Sequence, residues 1–162
     1  MRILGVDPGL QRTGYGVVDA GPGGIKMVEA GVIKTSSVDG ISLRVADIYR
    51  NISDVIKESS PSVLVLEKLY SHYKHPTTSI LMGHARGVVC LACGMSGIKL
   101  VSYASTRIKK AVTGNGQAGK EQVRGMVKKI LDLTSTPDPL DISDALAMAI
   151  SYAFIEGVRG KS

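Results

Sequence analysis

Residues 3–9 read ILGVDPG. A short apolar run delivers one carboxylate, Asp7, to its tip and turns away at once through Pro8 and Gly9. The run has the look of a buried strand, and Asp-Pro-Gly is good turn chemistry. Two readings of Asp7 follow, a turn residue or a ligand held rigid at the edge of a core, and the other acids of the chain decide between them. A second run of the same kind, VLVLE at 63–67, also ends on an acid, Glu67. Its plain alternative is a surface acid at a strand end. In open α/β sheets, ligands collect beyond the carboxyl ends of strands, so two acids at two such ends are candidates for neighbours.

Working outward, GYGVVDA (14–20) and MVEAGVIK (27–34) read as two more strands, with the hairpin marked by GPGG at 21–24. Residues 42–58 switch to a helical period, with Leu43, Ala46, Ile48, Val55 and Ile56 apolar between charges. Helix is expected again at 77–96, a fifth strand at 98–103 (IKLVSY), and three helices at 105–113, 119–132 and 142–156. Glycines in TGNGQAG and the prolines at 137 and 139 separate these last helices. The order predicts an α/β fold: a five-stranded mixed sheet with helices packed on it, in one domain spanning 1–162.

The third acidic element is LDISDALAMAI at 140–150. Asp141 and Asp144 are three residues apart at a helix start and share a face. A capping box on the positive end of the helix dipole would explain both. The helix beyond is almost wholly apolar, however, which predicts a buried helix whose first turn enters the protein. Carboxylates converging there repel one another unless a divalent cation binds them, and all-oxygen ligands select Mg²⁺ or Mn²⁺.

Charge points to the partner. Twenty Lys and Arg against 14 Asp and Glu give +6, which favours an anionic partner and nucleic acid first. Residues 99–129 carry that excess: Lys99, Arg107, Lys109, Lys110, Lys120, Arg124, Lys128 and Lys129 against Glu121 alone. GNGQAGKE at 114–121 approaches a phosphate-binding P-loop, but Glu121 stands where Ser or Thr should bind Mg²⁺, and the loop follows a helix where a P-loop follows a strand. An ATPase is therefore disfavoured, while the helix start with Lys120 remains suited to phosphates. The apolar stretch 80–95, cut by His84 and Arg86, reads as a buried helix and not a membrane span. No export signal is visible after Arg2, and Cys90 and Cys93 read as small buried hydrophobes in a reducing cytoplasm. His72, His75 and His84 have no ligand-like spacing.

The ordered set of Asp-Pro-Gly after the first strand, an acid after VLVL, and D-x-x-D-A-L-A resembles the RuvC family of Holliday junction resolvases. TGYGV at 13–17, GHARG at 83–87 and YASTRIKKAVTGNGQAGKEQV at 103–123 extend the resemblance over residues 1 to 155. It implies a ribonuclease-H-like fold with helices on both faces of the sheet. It also implies a Mg²⁺-dependent endonuclease, two cations per site with Mn²⁺ able to substitute, that nicks four-way junctions as a homodimer in recombination and repair. Asp7, Glu67, Asp141 and Asp144 become its catalytic acids and metal ligands. Lys109 and Lys120 lie by the scissile phosphate, with Arg107, Lys110 and Arg124 as looser DNA contacts. Tyr70, in KLYSHYKHP, takes an aromatic position at the junction centre, with Tyr73 as its neighbour. Helix 77–96 becomes the contact surface between subunits, and the RuvA–RuvB branch-migration complex the expected partner. The competing readings are another ribonuclease-H-like nuclease acting on flaps or RNA–DNA hybrids, a non-catalytic junction-binding module, and an actin-like phosphatase or ATPase, for which one short domain is too small.

Overall fold

The structure is a computed structural model and describes residues 1–69 and 76–158. Tyr70, His72, Tyr73 and His75 lie outside the described residues. Among the described residues, five strands and five helices follow the expected order: β1 (Arg2–Asp7), β2 (Arg12–Gly21), β3 (Gly24–Lys34), α1 (Ile41–Ser59), β4 (Val63–Glu67), α2 (Pro76–Met95), β5 (Lys99–Tyr103), α3 (Ser105–Thr113), α4 (Lys120–Ile130) and α5 (Leu140–Ile155).

The sheet order is β3-β2-β1-β4-β5. The first three strands form an antiparallel meander, and β4 and β5 add in parallel through the α1 and α2 crossovers. Successive strand side chains point to opposite faces, and the core divides accordingly. Ile3, Val63 and Val65 pack with α3, α4 and α5 on one face. Leu4, Val6, Leu64 and Leu66 pack with α1 and α2 on the other. This parity places the acids. Asp7 follows Ile3 and Gly5, and Glu67 follows Val63 and Val65, so both belong to the face covered by α3, α4 and α5. The register pairs Gly5 with Val65. Two residues further along these parallel strands, and beyond their last paired rung, Asp7 and Glu67 end neighbouring strands on the same face.

Helix α5 lies against the sheet at a backbone-to-backbone distance that only glycine permits. A Cβ at Gly5 would overlap the Ala145 carbonyl oxygen and come 2.9 Å from the Ala149 nitrogen. At Gly14 it would overlap the Asp141 carbonyl and come 2.8 Å from the Asp141 Cβ, and at Gly16 it would lie 2.6 Å from the Leu146 Cδ2. Gly14 pairs with Asp7, so one glycine brings the first turn of α5 beside the tip of β1. Residues Ala145 to Ala153 of α5 are all buried, as the apolar sequence required.

One alternative falls and one expectation is corrected. The capping alternative for Asp141 does not hold: Pro139 occupies the N-cap position, no side-chain cap bond forms, and Asp141 lies within the first turn. Helix α2 is not buried all round. Ala85, Val89, Ala92 and Cys93 form its inner stripe, while Ile80, Leu81, Leu91 and Met95 are exposed. By length and composition (mean hydropathy 1.2) α2 could cross a membrane, but its inner stripe is part of the core that covers the sheet. The reason for the miss is that a helix with apolar residues on every side does not reveal from its own sequence which side meets the sheet. Cys90 and Cys93 are free thiols, half-buried and buried, and Cys93 donates to the Ile98 carbonyl at 3.3 Å.

Candidate active site

A cleft of about 380 Å³ opens at the carboxyl ends of β1 and β4. Its lining includes Asp7, Glu67 and Asp144 from three separate elements, with Lys109 from α3 and Lys120 from α4. Asp141 is half-buried one turn before Asp144, close enough that its charge acts on both Asp7 and Asp144. The four acids named from sequence are thus electrostatic neighbours.

Their carboxyls register the crowding. Burial above all, then the charges of Asp144, Asp141 and Glu67, pushes Asp7 up from 3.8 to about 7, against the opposing pull of Lys120. Burial likewise raises Glu67, where a hydrogen bond from the Ser105 hydroxyl opposes it, and Asp144, where Lys120 opposes it. Excess negative charge held on a rigid scaffold is an arrangement that a cation relieves. The donor set, carboxylate oxygens alone, suits a hard divalent ion. As they stand, among the described residues, no three His, Cys, Asp or Glu side chains are gathered tightly enough to grip a metal. A bound ion would have to draw the acids closer.

The basic residues divide. Lys109 and Lys120 face the cleft. Lys110 is exposed on α3. The exposed Arg107 sets its guanidinium over the Tyr103 ring at 4.8 Å, a cation–π contact. Arg124 turns inward, its side chain only 17% exposed. It donates to the Pro137 carbonyl at 3.3 Å and pairs with Glu121 at 3.1 Å. The Ser143 hydroxyl donates to the same Pro137 carbonyl at 3.0 Å. Arg124 therefore straps α4 to the segment that leads into α5. The glycine-rich loop before α4 also uses its own donors: Gln117 N–H goes to Asn115 Oδ1 and Gly119 N–H to Gln122 Oε1, both at 2.9 Å. Those two amides are committed within the loop, so the cleft-facing cation there is Lys120.

Sequence reasoning missed Ser105, which lines the cleft beside Glu67 and lowers its carboxyl, and the apolar lining from Pro8, Leu69, Met82 and Ile108. A signal for Ser105 existed. Glu67 pairs with Tyr103, so a hydroxyl two residues beyond the fifth strand falls beside the acid once the strand pairing is known.

The family model for the crossover junction endodeoxyribonuclease RuvC matches residues 3–152. The chain belongs to the RuvC family. A RuvC crossover junction endodeoxyribonuclease from Rhodopirellula baltica is 45% identical over 148 residues, covering 91% of this chain and 83% of the relative. The RuvC structure from Thermus thermophilus superposes with a TM-score of 0.90 at 32% identity, over 97% of this chain and 96% of that one. RuvC from the same organism in complex with a Holliday junction substrate matches with a TM-score of 0.88 at 28% identity, over the same shares. The ribonuclease-H-like architecture, the resolvase class and the nuclease activity of the family agree with what the sequence implied.

Proposed function

We propose that this RuvC-family chain is a structure-selective endodeoxyribonuclease that resolves four-way DNA junctions by nicking two strands symmetrically. The observation that carries the reading is that acids from β1, β4 and α5 share one cleft with Lys109 and Lys120. The whole chain acts as one nuclease domain in the cytoplasm, and the RuvA–RuvB complex is its branch-migration partner.

Asp7, Glu67 and Asp144 would hold the metal, with Asp141 beside them, and Mg²⁺ fits the oxygen donors, with Mn²⁺ as a substitute. When bound, a pair of such cations supplies neutralisation of the phosphate charge and an acidified water. The protein's own groups do the rest. The strand ends and the glycine-seated α5 hold the backbones that carry the carboxylates in place, so only the acid side chains have to close on an ion. Ser105 orients Glu67. Lys109 and Lys120 supply positive charge where an anionic phosphodiester must approach a cluster of acids. Lys110 adds phosphate contact from the exposed face of α3. Tyr70 stacks on an unpaired base at the junction centre, a contact of about 1–3 kcal/mol that requires only the ring face.

A four-way junction has approximate two-fold symmetry, and a C2 homodimer matches it with two clefts. The exposed apolar residues of α2 support that helix as the contact surface. The test is a labelled four-way junction and a linear duplex of the same sequence, each incubated with Mg²⁺ or with EDTA. Paired nicks in the junction alone, and only with Mg²⁺, are the expected outcome. An intact junction beside a cleaved flap or RNA–DNA hybrid would assign the chain a different nuclease activity.

A further inference from the structure

Arg86 is the sole Lys or Arg in α2, residues 76–95. It is half-buried, and among the described residues it forms no ion pair with a carboxylate. Its guanidinium crosses instead to the sheet. Nη1 donates to the backbone carbonyl of Glu67 at 2.6 Å, and Nη2 donates to the Ser102 hydroxyl at 3.0 Å. One planar cation thus bridges the carboxyl ends of β4 and β5 at the level where their ladder finishes. The last rung there is Lys68 N–H to the Tyr103 carbonyl, at 2.8 Å. A hydrogen bond with a charged donor is shorter and stronger than a neutral one, and the fixed fork of arginine serves two acceptors at once. Because Arg86 holds the Glu67 main chain, the Glu67 carboxylate stays available to the cleft and to Ser105.

We infer that Arg86 is a positioning residue for the nuclease site: it pins the carboxyl end of β4, so that Glu67 is aimed into the cleft, and it makes that aim depend on where α2 sits. Met82, one turn earlier on α2, lines the same cleft, so the helix reaches the site twice. On its other side α2 carries Ile80, 62% exposed, and Met95, 72% exposed, the surface assigned above to the second subunit. Subunit pairing and the placement of a catalytic acid therefore pass through one helix. The inference rests on the reading of Glu67 as a site acid.

The experiment compares full-length wild type with Arg86→Ala, Arg86→Lys and Glu67→Gln. It measures oligomeric state by sedimentation, junction affinity across a salt series, and single-turnover cleavage at saturating junction and Mg²⁺. Groups that orient a ligand from behind typically contribute 10- to 100-fold to activity. Arg86→Ala should lose cleavage rate by about that factor with affinity, salt slope and oligomeric state unchanged. Guanidinium ion added at low concentration should restore rate to Arg86→Ala and not to Glu67→Gln. Arg86→Lys should fall between wild type and Ala, since an ammonium serves one acceptor well and not both; this variant decides the matter if Arg86→Ala does not fold. Wild-type cleavage by Arg86→Lys or Arg86→Ala, beside an inert Glu67→Gln, overturns the positioning role while the site stands. A flattened salt slope in either Arg86 variant overturns it in favour of a phosphate contact. Wild-type cleavage by Glu67→Gln overturns the site reading and this inference together.

Discussion

Replacing Asp7 with Asn should make the protein more stable and unable to cut. The carboxyl is raised from 3.8 to about 7 by burial and by its acidic neighbours, so folding disfavours its charged form. The sign follows from linkage. The folded state holds this proton more tightly than the unfolded chain does. The cost is therefore absent at a pH below the unfolded value, grows as pH climbs from about 4 to about 7, and is complete above that. Full ionisation against such a shift corresponds to about 4 kcal/mol at 1.36 kcal/mol per pKa unit. Asp7 is half-buried and opens on a cleft of about 380 Å³, and solvent in that space reduces the penalty to about 2 kcal/mol. Urea unfolding of wild type and Asp7→Asn in EDTA should show a small difference at pH 4 and an advantage for the variant of about 2 kcal/mol at pH 8. Mg²⁺ should then stabilise the wild type more than the variant, and junction cleavage by the variant should be lost while binding survives. A stability difference that does not change between pH 4 and pH 8 would refute the argument that the site stores repulsion for a cation.

Lys109→Ala and Lys120→Ala should each slow cleavage and flatten the salt dependence of junction binding by about one unit per lost phosphate contact; unchanged slope and rate would leave both lysines as solvated surface. Arg124→Gln should behave differently, leaving the salt slope intact while lowering the urea midpoint, because its guanidinium is spent on Pro137 and Glu121. Gly14→Ala should cost about 1–3 kcal/mol in urea unfolding, with lost cleavage as α5 is lifted from β2, whereas Gly21→Ala, where an added Cβ meets nothing within 4 Å, should be silent; equal effects at the two positions would falsify the close-approach argument.

Much of this protein was legible before any coordinates, because its signals are local and periodic. ILGVD and VLVLE end on their acids in the same parity, so once the strands are neighbours both carboxylates fall on one face. The apolar run after Asp144 likewise required a buried helix. What stayed hidden depends on which surfaces meet. Arg124 and Arg107 look like DNA contacts in a basic segment, and only the packing of α4 against the 137–138 segment, and of α3 against β5, shows where their guanidinium groups go. GHARG stood out as a motif, but the hydrogen bond from Arg86 to a backbone carbonyl 19 residues earlier has no sequence signature. The capping pattern at Asp141 left two readings open for the same reason: an acid near a helix start is equally compatible with capping the helix and with facing a cleft.

The seating of α5 on Gly5, Gly14 and Gly16 also bears on motion. Asp141 and Asp144 sit at the start of a helix whose following turns are sealed in the core, with Ala145 and Leu146 both 0% exposed. Local opening draws on segments with few buried contacts, whereas a sealed central helix exchanges its amide hydrogens only when the whole domain unfolds. The amides of α5 should therefore be among the slowest to exchange with deuterium, and those of α4, which is buried only at Val123 and Val127, markedly faster. The two walls of the cleft then keep different time. The backbones that carry the acids keep their spacing from one encounter to the next, and the exposed Lys120 on α4 adjusts to each new backbone that enters.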